Sequence, residues 1–131
     1  MKIQKILKRL LQLHPKSVDL SLDRIQRLLE DLKNPHKKIK NVIQVVGTNG
    51  KYSFCTSLRE IFETAGYTVN LNISPSLRKF NERYYFLGKY ISDKNLTRLL
   101  LEVEEINQGK SITFHEFICA CFFIESSRNK S

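Results

Sequence analysis

The most constraining feature of the chain is a change of pattern near its middle. Val42-Ile43-Gln44-Val45-Val46 is a short β-branched run suited to a buried strand, and the turn Gly47-Thr48-Asn49-Gly50 follows at once. Ser53 to Ala65 then reads as a helix, with Phe54, Leu58, Ile61 and Phe62 on one face and Gly66 closing it. A second strand is predicted at Thr68 to Ile73. Strand, loop, helix and strand over about thirty residues is the size of a crossover unit, in which two parallel strands flank a helix. The expected class is therefore α/β, a parallel sheet with flanking helices.

Two helices are predicted before this unit. Ile3, Ile6, Leu7, Leu10, Leu11 and Leu13 form one apolar stripe that must stop near His14-Pro15. Ser21 is the candidate cap of the next helix, whose stripe is Ile25, Leu28, Leu29 and Leu32 and whose stop is Asn34-Pro35. After the unit, Ser74-Pro75 breaks the strand, and Tyr84 to Ile91 reads as an extended excursion or a hairpin around Leu87-Gly88-Lys89. Ser92 or Asp93 caps a helix with Leu96, Leu99, Leu100 and Val103 on its stripe, ending near Gly109. The last helix opens with the capping box Thr113-Phe114-His115-Glu116 and continues through Phe117, Ile118, Ala120, Cys121, Phe122 and Ile124. It is apolar on more than one face, so it calls for partners on several sides and is expected to be left partly uncovered.

Composition bounds the remaining choices. A length of 131 residues allows one domain, and 41% hydrophobic with 27% charged residues is globular rather than disordered or disulfide-stapled. Cys55, Cys119 and Cys121 lack CxxC spacing, and His14, His36 and His115 lack ligand spacing, so neither a disulfide framework nor a zinc site is indicated. No apolar run is long enough to span a membrane, and a cytoplasmic location is expected. The net charge of +9 is concentrated before Asn41. Lys37, Lys38 and Lys40 lack interleaved aromatics and a recognition motif, which makes nucleic acid an unlikely partner and a solvated polar face the simpler reading.

The turn at Gly47 carries the chemistry. Glycines let backbone N–H groups approach phosphate oxygens, the following helix points its positive end there, and Lys51 supplies a point charge. The GxxxxGK[ST] pattern is not met, because Val45 holds its first glycine position and Tyr52 separates Lys51 from Ser53. On spacing alone, a phosphate loop and a plain left-handed turn are equally compatible.

The string itself, Gly47-Thr48-Asn49-Gly50-Lys51-Tyr52-Ser53, resembles the phosphate loop of the folylpolyglutamate and dihydrofolate synthases of the Mur-ligase superfamily, which have glycine where Tyr52 stands. Ser74-Pro75-Ser76-Leu77 is similar to that family's Ser-Pro-His-Leu, Phe80-Asn81-Glu82-Arg83 to its Phe-Asn-Glu-Arg, and Ile112 to Phe117 to its Ile-Thr-Phe-Phe-Glu-Phe. Asp19 to Pro35 and Ile91-Ser92-Asp93 match further segments, so the resemblance runs along essentially the whole chain.

The resemblance implies a partial P-loop, Mur-ligase-like parallel sheet preceded by two helices. Residues 1–131 would form one truncated N-terminal ATP-binding domain, with the family's C-terminal domain absent. It implies ATP and magnesium as cofactors, with Gly47, Thr48, Asn49, Gly50, Lys51 and Ser53 around the phosphates, Ser74 at the metal, and Arg83 on the substrate side. The implied reaction adds glutamate to a folate or dihydropteroate carboxylate through an acyl phosphate. The family's metal carboxylate and histidine have no counterpart here, so the chain alone is expected to be inactive, and a complementing fragment would be needed for turnover. The alternative is a non-catalytic remnant or partner-binding module that keeps the P-loop fold.

Overall fold

The computed structural model describes residues 2–16, 19–76 and 78–129. Five helices, α1 (Lys2–Leu11), α2 (Asp23–Asp31), α3 (Lys51–Thr64), α4 (Asp93–Asn107) and α5 (Phe114–Arg128), accompany three short strands, β1 (Asn70–Asn72), β2 (Tyr84–Phe86) and β3 (Lys89–Tyr90).

The predicted stripes become the core, except Leu11 of α1, which is 53% exposed. Ile6, Leu7 and Leu10 of α1, Leu28 and Leu29 of α2, and Leu96, Leu99, Leu100 and Val103 of α4 are buried together with Phe117, Ile118, Ala120, Cys121 and Ile124 of α5. Chain breaks fall where the sequence puts them. Asn34 turns left-handed (φ 53°) into a single 3-10 turn at Pro35–Lys38, and Gln108 (φ 54°) with Gly109 (φ 70°) ends α4. Ser92 caps α4 by accepting from the Asn95 amide at 3.2 Å. Ser21 lies one position ahead of the cap of α2 but still accepts from the Asp23 amide at 3.3 Å.

The last helix is the most enclosed element rather than an uncovered one, which corrects the sequence expectation. It packs against α1, α2, α4 and the 3-10 turn. An all-round apolar helix fits both a missing cover and a central position, and here it is central. Its capping box forms: Thr113 Oγ1 accepts from the Glu116 amide at 3.2 Å, and Glu116 Oε1 accepts from the Thr113 amide at 2.9 Å. Arg24 of α2 then grips the same carboxylate with Nε at 3.0 Å and Nη2 at 3.2 Å.

The sheet also departs from expectation. Its order is β1-β2-β3 and both pairings are antiparallel, with Leu71 opposite Tyr85 and Tyr85 opposite Tyr90. The hairpin reading of Tyr84 to Ile91 holds, since Leu87 (φ 49°) and Gly88 (φ 94°) make a two-residue turn with both residues left-handed. The parallel sheet is not found among the described residues: 42–46 form no strand, and Val42 and Val46 are 70% and 79% exposed. A β-branched run prefers extended backbone, but it becomes a strand only when a neighbour takes up its N–H and C=O groups, and no strand lies beside it here.

Candidate functional site

Helix α3 presents the candidate phosphate loop. Gly47 has φ 152° and Gly50, at the cap position, has φ 73°, both conformations that side-chain-bearing residues rarely adopt. A Cβ on Gly47 would meet Lys51 Cγ at 3.9 Å, an ordinary contact, so backbone conformation rather than space calls for glycine there. The first helical bond runs from the Phe54 amide to the Gly50 carbonyl at 3.0 Å, and no side chain caps the helix. Its first-turn N–H groups therefore point to solvent beside Lys51, the arrangement that favours an anion. Thr48, Asn49, Lys51 and Ser53 are all exposed. Tyr52 sits in ordinary helical backbone and is 44% exposed, so the ring replaces glycine without left-handed strain.

The other end of α3 is closed by a hydrogen-bonded turn. Gly66 (φ 93°) donates to the Glu63 carbonyl and Tyr67 to that of Phe62, each at 3.0 Å, while the Phe62 and Tyr67 rings meet edge-on at 5.7 Å. Between its ends the helix contributes no buried residue, and all fourteen positions are described.

Ser74 and Arg83 are nine residues apart and come together: Arg83 Nη1 donates to Ser74 Oγ at 3.1 Å. The backbone holds them there, since the Ile73 amide donates to the Arg83 carbonyl at 3.0 Å, and the guanidinium lies 5.1 Å from the centre of the Phe80 ring. Leu77, in the same motif, lies outside the described residues. Arg83 Nε is buried without a hydrogen-bond partner. This corner suits an anion better than a metal. A divalent cation at Ser74 would sit beside a guanidinium, and among the described residues no three His, Cys, Asp or Glu side chains cluster to hold one. The residues present therefore do not fit magnesium by themselves.

Sequence reasoning missed the group that ties α3 to the sheet. Arg59 lies 4.4 Å over the Tyr85 ring and reaches Tyr90 Oη at 3.5 Å and Glu63 at 3.5 Å, while the Tyr85 hydroxyl donates to Glu63 Oε2 at 2.6 Å. Burial, then the Glu63 carboxylate, pushes the Tyr85 hydroxyl up, so it stays a donor. The only sequence signal is the four-residue spacing of Arg59 and Glu63. Beside this cluster lies an apolar groove of about 570 Å³, walled by Asn41, Val42, Ile43 and Val45 and by residues 67–71, with Leu58 and Phe62 of α3 along it.

Among the described residues the cysteines and histidines form no cluster able to hold a metal, although Cys119 Sγ lies 3.6 Å from His115 Nε2. Cys121 is fully buried, Cys119 is held up at about 11 by burial and by Glu116, and His14 pairs with Asp19 at 3.7 Å. Among the described residues, no helix is long and apolar enough to cross a membrane.

Comparison with known proteins gives a consistent picture. The chain is 38% identical over 110 residues to the dihydrofolate synthase/folylpolyglutamate synthase of Bacillus subtilis, a match covering 79% of this chain and 25% of that protein. The structure of Escherichia coli FolC in complex with DHPP and ADP superposes with a TM-score of 0.84 at 30% identity, covering 95% of this chain and 30% of that one. A bifunctional folylpolyglutamate synthase/dihydrofolate synthase with Mn, AMPPNP and L-glutamate bound matches with a TM-score of 0.83 at 28% identity, again over 95% and 30%. No family model matches. The chain thus spans about a quarter of the length of the curated relatives it matches.

Proposed function

We propose, on the premise that this chain is a relative of the folylpolyglutamate and dihydrofolate synthases, that it is the nucleotide-binding portion of an ATP-dependent amide ligase of that kind. The observation that carries the reading is the uncapped start of α3, where Gly47 and Gly50 take glycine-favouring conformations immediately before Lys51. In this reading the amides of Gly47, Thr48, Asn49 and Gly50 face phosphate oxygens, Lys51 balances their charge, and Ser53 bonds to them from the first turn. Ser74 and Arg83 form an anion-facing corner on the substrate side. The complete ligase would activate a folate or dihydropteroate carboxylate as an acyl phosphate, from which the glutamate amine displaces phosphate.

The chain by itself binds nucleotide and does not turn over. Its Ser74 corner lacks the carboxylates that a divalent cation needs, and the apolar wall along α3 stands open. Titration of the purified chain with a fluorescent ATP analogue tests the first half. Lys51→Ala should weaken binding by about tenfold or more, the size of one lost charge-assisted hydrogen bond, with an unchanged thermal melt. Equal affinity of the variant, or no binding by the parent, overturns the reading. Glutamate-dependent phosphate release with dihydropteroate or a folate tests the second half, and clear turnover would refute it.

A second reading, a module that keeps this fold to bind a partner rather than to react, is favoured by the uncovered faces of α3. Absence of nucleotide binding together with tight protein binding would select it.

A further inference from the structure

Helix α3 buries no residue, so packing alone does not set the direction of its axis. It meets the sheet through polar side chains. Arg59 lies over the Tyr85 ring at 4.4 Å and reaches Tyr90 Oη at 3.5 Å, and Glu63, one turn on, accepts from the Tyr85 hydroxyl at 2.6 Å. The Arg59 side chain is only 14% exposed and pairs with Glu63 at 3.5 Å. A guanidinium shielded between a carboxylate and a ring is held in one place by several contacts at once. The same strand leads to the substrate-side corner, since Tyr85 follows Arg83 by two residues and Arg83 donates to Ser74 Oγ.

Chain lengths show what this clasp aligns. The left-handed turn at Gly66 sends the chain back along α3, because Leu71 of the returning strand pairs with the same Tyr85 that Arg59 covers. Arg59 stands eight residues before Tyr67, and Leu71 stands four after it. At about 1.5 Å per helical and about 3.3 Å per extended residue, both lie about 12–13 Å from the turn, so helix and strand run side by side. Ser74 lies three residues beyond Leu71. That is about 10 Å of extended chain, the rise of about seven helical residues. The same distance back from Arg59 reaches Tyr52, so the Ser74–Arg83 corner is level with the first turn of α3.

The helix is therefore a lever with its free end at the loop. From Gly66 to Gly50 it is about 24 Å long, so a tilt of about 10° at the closed end moves the loop by about 4 Å. A misplacement of about 1 Å between reacting groups can cost about a hundredfold in rate. We propose that Arg59 is a positioning residue of the candidate site: with Glu63 and Tyr85 it fixes the angle of α3, so that the outer phosphate of a nucleotide on the loop meets Ser74 and Arg83. This role rests on the reading of the loop as a nucleotide site. It assigns to the corner the phosphate farthest from the nucleoside, the one that an acceptor carboxylate would take. Arg59 itself lies about two helical turns from Lys51 and acts through the helix rather than by contact.

Discrimination between triphosphate and diphosphate tests this role, because ADP occupies the loop without reaching the corner. Ribose-labelled ATP and ADP are titrated into the purified chain in buffer free of divalent cations, so that side chains alone read the terminal phosphate. The parent should favour ATP by about tenfold or more, the size of the charge-assisted bonds from Arg83. Arg59→Met keeps the apolar stem and removes the guanidinium. It should cut the preference to about twofold or less and leave ADP affinity within about twofold, since only the corner contact is lost. Tyr85→Leu, which opens the clasp from the strand and leaves α3 unaltered, should do the same. Arg83→Met should abolish the preference, and adding Arg59→Met to it should cost nothing more, because the two act on one contact. A parent that binds neither nucleotide would overturn the nucleotide reading and the positioning role with it. In a parent that binds, the absence of a preference for ATP, an intact preference in Arg59→Met or Tyr85→Leu, an equal loss of both nucleotides, or additive losses in the double variant would overturn the positioning role alone.

Discussion

The helices α1, α2, α4 and α5 and the phosphate-loop segment around α3 are built from similar material and end in opposite conditions. In the first region the apolar stripes are largely buried, Leu11 apart, and charged residues bridge the elements: Arg9 to Glu104 at 2.7 Å, Arg24 to Glu116 at 3.0 Å, Arg128 to Glu102 at 2.8 Å. In the second, Phe54 and Ile61 of an equally apolar helix are 56% and 64% exposed. Amphipathicity therefore tells that a helix needs a partner and not that the partner lies in the same chain. Among the described residues the helical region buries its core, and the loop region leaves Phe54 and Ile61 of α3 exposed.

The sharpest way to break this contrast is to truncate one large apolar side chain in each region. Phe117 is fully buried in α5, so Phe117→Ala should cost about 3–5 kcal/mol in urea unfolding. Ile61→Ala should change stability by no more than about 0.5 kcal/mol. Amide exchange should agree, with α4 and α5 opening only in global unfolding and α3 opening locally at lower free energy. Equal losses for the two variants would erase the distinction.

A smaller effect comes from the clamp on α5. Burial works to raise the Glu116 carboxyl, but the hydrogen bonds from Arg24 and Thr113 outweigh it and hold the group below the usual carboxylate value. A carboxylate depressed by folding contributes stability at pH values above its unfolded pKa of about 4.5, and that contribution is lost as pH falls through the lower folded value. Glu116→Gln should lower stability by about 1.5–3 kcal/mol at neutral pH and flatten the acid limb of the unfolding curve. An unchanged acid limb in the variant would show that the clamp does not couple α2 to α5.

What the sequence makes legible follows the same division. The stripes of α1, α2 and α4, the cap at Ser92 or Asp93, the capping box at Thr113 and the stop at Asn34-Pro35 depend on near neighbours, and the pattern of residues reveals them. The candidate phosphate loop is local in the same way, its glycines and lysine lying between Gly47 and Lys51. Contacts between distant residues are not legible in this way. The Arg24 grip on Glu116 spans 92 positions, and the Arg83 bond to Ser74 forms because the turn at Phe80–Arg83 carries the chain back to the end of β1. The parallel sheet expected from Val42 to Ile73 fails for a related reason. The local signals for strand, loop and helix are present, but a strand is defined by its neighbour, and the ladders among the described residues are antiparallel, β1 with β2 and β2 with β3.

The smallest effect tests whether α3 is a self-sufficient local motif. Gly66 (φ 93°) has open space where a Cβ would project, so Gly66→Ala meets no atom and acts through backbone conformation alone. A side-chain-bearing residue in that conformation costs about 1 kcal/mol. The turn it closes holds the last two bonds of α3 and the Phe62–Tyr67 ring contact, none of which reaches the helical core. The loss should therefore appear as faster amide exchange at Gly66 and Tyr67, with the urea midpoint unmoved. If the midpoint shifts by the full amount instead, α3 unfolds together with α4 and α5, and its exposed face conceals a coupling carried by Arg59, Glu63 and Tyr85.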